Sequence, residues 1–351
     1  MPPMEQPPKY FMYFPGNYRW SAAFVNMLGR ASYGGADIGE LHKIGRTLTG
    51  KDAEDDQAWF DACVAVADEV RCRAERFAAS GHAICAAAFY LRACHYYQMG
   101  ERFRTPKDKA ALEAYRVAVD CFHRFVALGE VKIEIVEVPF EDKSLPGYFV
   151  HAQNRRSARA PCVVFFDGLD VTKEIQYLAG VPDLIKRGIS VLVMDGPGTG
   201  EAIRFRGLVL RHDYEKAGSA CIAWGAIWDY HAVWKRRIDA QFKASLSVLG
   251  HHVMWILGAA MLEDALRRLE PFKLDGVVQK MRCPLLVVHG ADDEQIPLAD
   301  ARALYDACGS TDKTLRVFTS EEGGAQHCQR DYLTLGCATM WSWFEDKLVR
   351  G

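Results

Sequence analysis

Two side chains in the C-terminal quarter of the chain have the types and the order of the acid and the base of a hydrolytic triad. Asp293 follows the apolar stretch 283–290, whose composition is that of a buried parallel strand. His327 lies in a glycine-containing loop after a second short apolar strand at 315–318. Loops that follow neighbouring parallel strands meet at one edge of a sheet. We therefore predict that the two side chains lie within hydrogen-bond distance of each other.

Asp292 is the alternative to Asp293 as the acid. We favour Asp293 because it stands in the spacing His289-Gly290-x-x-Asp293 and is followed by an Ile-Pro pair. Consecutive aspartates in a loop also form Asx turns and helix caps, but a histidine at a suitable distance downstream favours the catalytic interpretation. The carboxylate would hold one imidazole nitrogen and stabilise the imidazolium, and His327 would be the base.

A serine nucleophile that belongs to this pair cannot be found in the chain. Such a serine stands in a Gly-x-Ser-x-Gly turn between a strand and a helix, and none of the twelve serines has these neighbours. Ser32 lies near glycines but with the wrong spacing, and it follows a helix. Ser219 precedes a strand, whereas the turn must follow one. The nucleophile is therefore unknown from the sequence.

The loop after the first predicted parallel strand contains Gly168 and Leu169. A glycine there lets backbone N–H groups face a developing oxyanion, although an ordinary strand-to-helix turn would have the same residues. The glycines of 195–201 follow the next strand, but they lack the spacing of a phosphate-binding loop.

The elements that position these residues change type near residue 130. Residues 20–128 have helical apolar spacing, and 84–97 is apolar nearly all round, which predicts a buried helix. An antiparallel hairpin over 132–151, with its turn near Pro146, leads into continuous apolar strands separated by helices. We predict an α/β fold with a mostly parallel sheet, formed by 130–351, behind an N-terminal helical cap domain formed by 1–129.

An insertion over about 228–276 interrupts the strands and is rich in aromatic residues. We predict that it covers the active site as a lid and that four of its side chains line an apolar substrate pocket. Aromatic side chains are also common in ordinary cores, so simple packing is the alternative for each of them. The four predicted pocket residues are Trp228, Trp234, His252 and Trp255.

The composition excludes several kinds of partner. With 43 basic and 45 acidic residues, the chain has no global field that favours nucleic acid or an anionic membrane. Its 11 cysteines have no metal-ligand spacing and predict reduced core thiols, no metal and a cytoplasmic location. Residues 1–8 do not resemble a signal peptide, and the longest apolar run is too short to span a membrane. We expect a small-molecule partner, and a homodimer is the assembly considered.

Several motifs taken together resemble one α/β-hydrolase family, in which an N-terminal helical domain precedes the hydrolase core. It contains 2,6-dihydroxypseudooxynicotine hydrolase and the fungal polyketide-shortening hydrolases of pigment and fusarin-type pathways. The resemblance runs from about Lys132 to the C-terminus. The motifs are Gly168-Leu169-Asp170-x-Thr172-Lys173-Glu174, Asp195-Gly196-Pro197-Gly198-x-Gly200-Glu201, Asp213-Tyr214-Glu215, Ala223-Trp224-Gly225, His289-Gly290-x-x-Asp293 and His327-Cys328.

The resemblance implies a serine hydrolase of secondary metabolism that uses no cofactor. Its substrate would be a polyketide-like or aromatic small molecule, cleaved at a C–C bond of a β-diketone or aryl ketone, or at an ester or acyl bond. The family's acid and base fall on Asp293 and His327, and its additional active-site glutamate falls on Glu174. In the family, however, a strand, a Gly-x-Ser-Leu-Gly-Gly turn and a helix separate the Asp-Tyr-Glu helix from the strand ending Trp-Gly. Here 213–219 runs directly into 220–224, so a unit of about 40 to 50 residues is absent.

Three hypotheses follow from this departure. The chain is an active hydrolase with an unconventional nucleophile or a water activated by His327; or a truncated, catalytically silent relative that binds a ligand; or a structural or interaction protein. Retention of Asp293, His327 and the Gly168 loop favours the family function as the description of the gene. Without the serine turn, we expect no labelling by a fluorophosphonate probe and ester turnover at or near background.

Overall fold

The computed structural model describes residues 10–52, 54–155, 159–166, 168–211, 221–238 and 250–350. The motif at 213–215, Ser219, Asp167 and residues 239–249 of the predicted lid lie outside this described part. The predicted acid and base, the loop from Gly168 onward and all four predicted pocket residues lie within it.

Five α-helices precede the first strand of the described chain, as the apolar periodicity predicts. The side chains of Asp55 and Asp108 cap two of these helices, because each accepts a hydrogen bond from the backbone N–H three residues further along the chain. The fourth helix is buried along most of its length, which confirms the predicted buried helix, although Ile84 at its start is exposed. The helices are α1 (Tyr18–Gly29), α2 (Ile38–Leu48), α3 (Asp56–Ala79), α4 (Ala83–Phe103) and α5 (Lys109–Leu128).

The predicted antiparallel hairpin is present, but its turn lies elsewhere. Strands β1 (Ile133–Phe140) and β2 (Lys143–Val150) pair from Ile133 opposite Val150 to Phe140 opposite Lys143. The turn is therefore at Glu141 and Asp142, where Glu141 has a φ of 52°. Pro146 was wrongly placed in the turn; it lies inside β2, opposite Glu137.

The strands of the described chain form two sheets. The first has the order β1-β2-β4-β3, in which β4 (Ser190–Met194) is antiparallel to β2 and parallel to β3 (Cys162–Phe165). The second has the order β5-β6-β7 and is parallel throughout, with β5 (Cys221–Trp224), β6 (Leu285–Gly290) and β7 (Lys313–Phe318). Three of the five pairings are thus parallel, in agreement with the predicted mostly parallel α/β sheet.

The break between the sheets separates β3 from β5. Each of these strands is at the end of its sheet, and no strand of the described ranges pairs with both. The edge of the first sheet is correspondingly open, since Val164 is 49% exposed and Phe166 is 45% exposed. A sheet with one strand removed from its middle would have these two ends, because the strands on either side lose their ladder partner.

One hydrophobic core joins the N-terminal helices to both sheets. It contains Trp20 of α1, Trp59 of α3, Tyr148 of β2 and Trp341 of α13 (Leu333–Glu345). The helices that lie between the strands are α6 (Lys173–Tyr177), α7 (Val181–Lys186), α8 (Gly200–Arg204) and α12 (Leu298–Ala307).

The predicted lid packs around a smaller core of its own. Its helices are α9 (Tyr230–Ile238), α10 (Gly250–Leu257) and α11 (Leu262–Leu269). They bury Trp234, Ile256 and Leu269 together with Ile203 of α8. Within the described ranges, none of the helices is both long and apolar enough to cross a membrane.

Candidate active site

Asp293 and His327 meet where β6 and β7 end. The Nδ1 atom of His327 lies 2.7 Å from Oδ2 of Asp293, which confirms the predicted hydrogen bond. The Asp293 side chain is 1% exposed, whereas that of His327 is 25% exposed. The carboxylate is therefore withdrawn from solvent, while the ring it holds can be reached from outside.

Backbone groups fix the Asp293 carboxylate in this position. Its Oδ1 accepts from the N–H groups of Gln295 at 2.8 Å and Ile296 at 2.9 Å. Burial alone would raise the pKa of Asp293, but the His327 ring and the Ile296 N–H hold that pKa below its ordinary value. The acid is consequently ionised near neutral pH and can orient the imidazole.

The neighbouring Asp292 does not share this environment. Its Oδ2 accepts a hydrogen bond from the Ser320 hydroxyl in an exposed position. The choice of Asp293 over Asp292 as the partner of His327 therefore agrees with the geometry. The loop after β6 turns the Asp293 carboxylate inward and the Asp292 carboxylate toward solvent.

The pKa of His327 is shifted in the opposite direction to that of Asp293. Burial would lower the pKa of His327, but the Asp293 carboxylate and then the Cys328 thiol raise it well above its ordinary value. Nδ1 is bound to Asp293, so Nε2 is the nitrogen that can exchange a proton with a reacting group. An acid-held imidazole of this kind is suited to general base and general acid catalysis.

The sequence analysis missed two residues that shape the loops around the pair. Asp331 accepts from three consecutive N–H groups, those of Gly324, Ala325 and Gln326, at 3.0 to 3.1 Å, and so curls the loop that presents His327. Buried His289 lies with Nε2 3.0 Å from the Ile296 carbonyl, across the Asp293 loop. An aspartate four residues after a loop histidine was the available signal for the first. His289 stood in the spacing that selected Asp293, but its strand position did not indicate the contact with the Ile296 carbonyl.

Cys328 is a third residue to which the sequence analysis gave no role. Its Sγ lies 3.5 Å from Nε2 of His327, on the side of the ring away from Asp293. The residue is partly exposed and has a left-handed backbone, with a φ of 51°. A nucleophilic atom thus lies next to the free nitrogen of the base.

The contacts of Glu174 in the described chain are with residues other than Asp293 and His327. Tyr148 donates its hydroxyl to Oε1 at 2.7 Å, Gln98 donates to Oε2 at 2.9 Å, and Lys173 Nζ lies 2.7 Å from Oε1. Despite burial, Lys173, Tyr148 and Gln98 lower the pKa of Glu174 to about 2. Both carboxylate oxygens are occupied within the core of the first sheet, so the geometry favours a structural role, and catalysis by Glu174 stays a prediction.

Lys173 is the centre of that buried network. Besides Glu174, its Nζ lies 2.9 Å from Asp195 Oδ2 and 2.6 Å from Glu201 Oε2. The three carboxylates together raise the pKa of Lys173 even though burial opposes its charge. The network ties the start of α6 to the end of β4 and to α8, and thereby holds the loop that contains Gly168 and Leu169.

The predicted oxyanion loop lies beside both the lid and the pair. The Leu169 carbonyl lies 3.2 Å from Nε2 of His252 in α10. Asp170 forms an ion pair with Arg102 of α4. Burial raises the pKa of Asp170, but Arg102, His252 and His327 outweigh it and lower that pKa. His327 is therefore close enough for its charge to act on this loop.

Three of the four predicted pocket residues belong to one group. Trp234 is buried in the lid core, Trp255 packs against that core, and the His252 ring meets the Trp255 ring edge-on at 5.4 Å. Burial lowers the pKa of His252 to about 4, so this histidine is neutral at pH 7. The group faces Leu169, as a wall near the predicted oxyanion loop would.

Trp228 does not join the other three. Its side chain packs with Val278, Leu285 and Leu304 beneath α12. Its backbone N–H donates a hydrogen bond to Asp300 at 2.9 Å. The prediction grouped it with the other aromatic residues of the insertion as a wall of an apolar pocket. The chain there instead follows β5 around the second sheet before the lid helices start.

The chain is similar over most of its length to named fungal hydrolases. The chain is 25% identical over 410 positions to hydrolase LUC6 of Fusarium sp, covering 95% of this chain and 97% of the relative. It is 25% identical to the 20-hydroxy-prefusarin hydrolase of Gibberella moniliformis, covering 92% and 94%. The first alignment is longer than the 351 residues of this chain, so that relative contains residues without a counterpart here. No family model matches.

Among solved structures, 2,6-dihydroxy-pseudo-oxynicotine hydrolase matches with a TM-score of 0.74 at 20% identity, covering 92% of this chain and 96% of that one. AbyA5 matches with a TM-score of 0.55 at 18% identity, covering 87% and 89%. At these identities the likeness establishes the fold, which is that of the α/β-hydrolases.

Proposed function

We propose that the chain is a member of the α/β-hydrolase family of these fungal hydrolases, and that it hydrolyses a C–C, ester or other acyl bond of a polyketide-like or aromatic small molecule. A β-diketone or aryl ketone is the C–C substrate of choice, since a carbonyl next to the scissile bond gives a nucleophile its point of attack. The acid and base are Asp293 and His327.

The observation that carries the proposal is the 2.7 Å contact between His327 and Asp293. Asp293 binds Nδ1, so Nε2 removes a proton from the attacking group and returns it to the leaving group. The rings of His252 and Trp255 meet edge-on beside the Leu169 carbonyl, and aromatic rings next to the predicted oxyanion loop support an aromatic or polyketide-like substrate.

The test is hydrolysis of an activated aryl ester by the full chain. We expect a small rate that falls to the uncatalysed level in His327→Ala, and that falls in Asp293→Asn because the ring loses its orienting carboxylate. Asp292→Asn is the matched control, since it changes the adjacent, outward-facing aspartate. Equal rates in all four proteins would refute the assignment of the pair.

A catalytically silent, ligand-binding protein is the second candidate. The break between β3 and β5 favours it, because the strand that would carry a serine turn belongs at that place. Titration with an aromatic ketone, followed by tryptophan fluorescence, separates the two candidates. Saturable binding that Trp255→Phe alters, in a protein whose ester hydrolysis does not depend on His327, would support the silent form.

Three further features are proposed with this function. The partner is a small molecule. The free state of all eleven cysteines supports a reducing compartment such as the cytoplasm. Residues 1–129 act as a helical cap on residues 130–351. Limited proteolysis near residue 130 tests the last proposal. If the helices and the sheets can separate, proteolysis should leave a stable core fragment. Because they share one hydrophobic core, we expect instead that the whole chain is cleaved.

A further inference from the structure

The thiol of Cys328 completes a chain of three groups at the candidate active site. Its Sγ lies 3.5 Å from Nε2 of His327, and Nδ1 of the same ring lies 2.7 Å from Asp293. A nucleophile, a base and a group that orients the base are the parts of a covalent hydrolase. We propose that Cys328 is the nucleophile of this protein, with His327 as its base and Asp293 orienting that base. The inference rests on the proposed hydrolase function.

The end of β5 leaves room for this thiol. A Cβ atom at Gly225 would lie 2.9 Å from Cys328 Sγ and 3.3 Å from Cε1 of His327, so a side chain there would push the thiol off the ring. Trp224 donates from Nε1 to Gln329 Oε1 at 2.6 Å, which ties the residue after Cys328 to the same strand. The contact between sulfur and imidazole is therefore held from both sides.

The surroundings of Cys328 differ from those of the other cysteines. Cys63, Cys121 and Cys337 are buried, and burial raises the pKa of each of these thiols above its ordinary value. Cys328 is partly exposed, and it is the one cysteine of the described ranges with a hydrogen bond to a histidine. The imidazole lies where it can take the proton of this thiol, as a nucleophilic cysteine requires.

The reaction follows from these positions. With the His327 ring in its neutral form, the thiol gives its proton to Nε2, and the sulfur attacks the carbonyl carbon to form a C–S bond. The tetrahedral adduct then breaks the bond to the leaving group, an ester oxygen or the α-carbon of a β-diketone, which takes the proton from His327. Water attacks the thioester while His327 removes its proton. The C–S bond breaks, the sulfur recovers the proton, and a carboxylic acid leaves, so that no oxidant or reductant is needed.

The first test compares hydrolysis of an aryl acetate by wild type, Cys328→Ala, His327→Ala and the double variant. Groups that act as a unit are not additive, so the three variants should fall to the same level. Cys72→Ala, an exposed cysteine on α3, is the matched control and keeps the wild-type rate. Circular dichroism of each variant accounts for any change in folding.

The second test looks for the covalent intermediate and does not need a complete catalytic cycle. After acid quench, peptide mapping should find one acetyl group per chain, at Cys328, and neutral hydroxylamine should remove it as it removes thioesters. Iodoacetamide at mildly acidic pH should alkylate Cys328 faster than the exposed Cys72 and Cys85, and His327→Ala should abolish this preference. Cys328→Ser keeps the size and the hydrogen bond of the side chain but should form no hydroxylamine-labile adduct.

The outcomes separate this inference from the function on which it rests. If Cys328→Ala hydrolyses like wild type while His327→Ala does not, the cysteine is not the nucleophile and His327 activates water directly, so the hydrolase proposal survives. An acetyl adduct on a serine also overturns the inference alone. If no adduct forms and no variant differs from wild type, both proposals fail.

Discussion

The two sheets each bury a carboxylate, and the surroundings of these two carboxylates are opposite. Glu174, on α6 beside the first sheet, has both oxygens occupied by Tyr148, Gln98 and Lys173, all within the core. Asp293, at the edge of the second sheet, has its inner oxygen held by backbone N–H groups and its outer one by a partly exposed His327. A buried charge that is fully paired within the core holds the structure together, whereas one whose partner reaches solvent can serve a reaction.

The same contrast applies to the strands that end each sheet. β3 and β5 are both unpaired on one side in the described chain. The predicted oxyanion loop follows β3, and the space that accommodates Cys328 follows β5. The parts of a hydrolase site thus lie on the two sides of the break. Inserting the missing strand, serine turn and helix between β3 and β5 therefore tests the comparison most strongly.

The largest effect is expected from inserting the missing strand, serine turn and helix between Gly218 and Ser219. A serine nucleophile and one oxyanion donor would be gained, and such groups contribute about 10²–10³-fold for a single donor and up to about 10⁶-fold for a triad. Ester hydrolysis should rise by at least about 10²-fold, and a fluorophosphonate probe should label the new serine.

The same insertion with alanine in place of the serine is the control and should gain neither property. The chain without the insertion should show no labelling of any serine. Stoichiometric labelling of one of its own serines, abolished by His327→Ala, would reveal an overlooked nucleophile.

The next largest effect is expected for Lys173→Met in the first sheet. The lysine side chain is 1% exposed and is paired with Glu174, Asp195 and Glu201, so its loss leaves buried carboxylates without their cation. The free energy of unfolding in denaturant should fall by about 3–5 kcal/mol. Lys186→Met, on the exposed face of α7, should change it by less than about 0.5 kcal/mol. Similar values for the two variants would contradict the structural role of the network.

Glu174→Gln separates the structural role of this residue from the catalytic one that the family resemblance implies. The change removes the charge that Lys173, Tyr148 and Gln98 all face, and it should lower the unfolding free energy by about 1.5–3 kcal/mol. The rate of ester hydrolysis per folded molecule should stay unchanged. A lower rate at unchanged stability would assign Glu174 to the reaction after all.

The pH dependence of stability should identify the Asp293 and His327 pair. Stabilisation from the lowered pKa of Asp293 is present above the unfolded value of about 3.9 and is lost as the pH falls through the folded value. Stabilisation from the raised pKa of His327 is full below about 6.5 and is lost as the pH rises through the folded value. The pair therefore stabilises the protein most between these limits.

His327→Gln should accordingly reduce the unfolding free energy most near pH 5 to 6, and the difference from wild type should shrink as the pH rises, at up to about 1.4 kcal/mol per pH unit. His82→Gln, at an exposed position before α4, is the control and should show no such trend. A difference that grows with pH would mean that the histidine is neutral in the folded protein and that the pair is not ionic.

The smallest effect is expected at the lid. Trp255→Leu removes the ring that meets His252 near the oxyanion loop, and it should weaken binding of an aromatic ketone by about tenfold, the value of one lost aromatic contact. Trp228→Leu, beneath α12, should leave binding unchanged because that ring packs in another cluster. Fluorescence titration of both variants checks this, and equal losses would show that Trp228 also reaches the ligand.

The sequence by itself determined the element order, the α/β-hydrolase fold and the pairing of Asp293 with His327. Local patterns carry this information, since apolar periodicity separates helices from strands and loops after neighbouring parallel strands meet at one edge. It also determined that no serine turn is present, because that motif is contiguous in the chain.

Only the tertiary structure decided which residues share a site. Glu174 is next to Lys173 in every conformation, but Tyr148 and Gln98 reach it from a distant strand and helix. Trp228 and Trp234 are six positions apart, yet they pack in different cores because the chain turns between them. Cys328 faces His327 because its backbone is left-handed and Gly225, which follows β5, leaves space for its sulfur. Such contacts depend on packing between elements far apart in sequence, which no local pattern records.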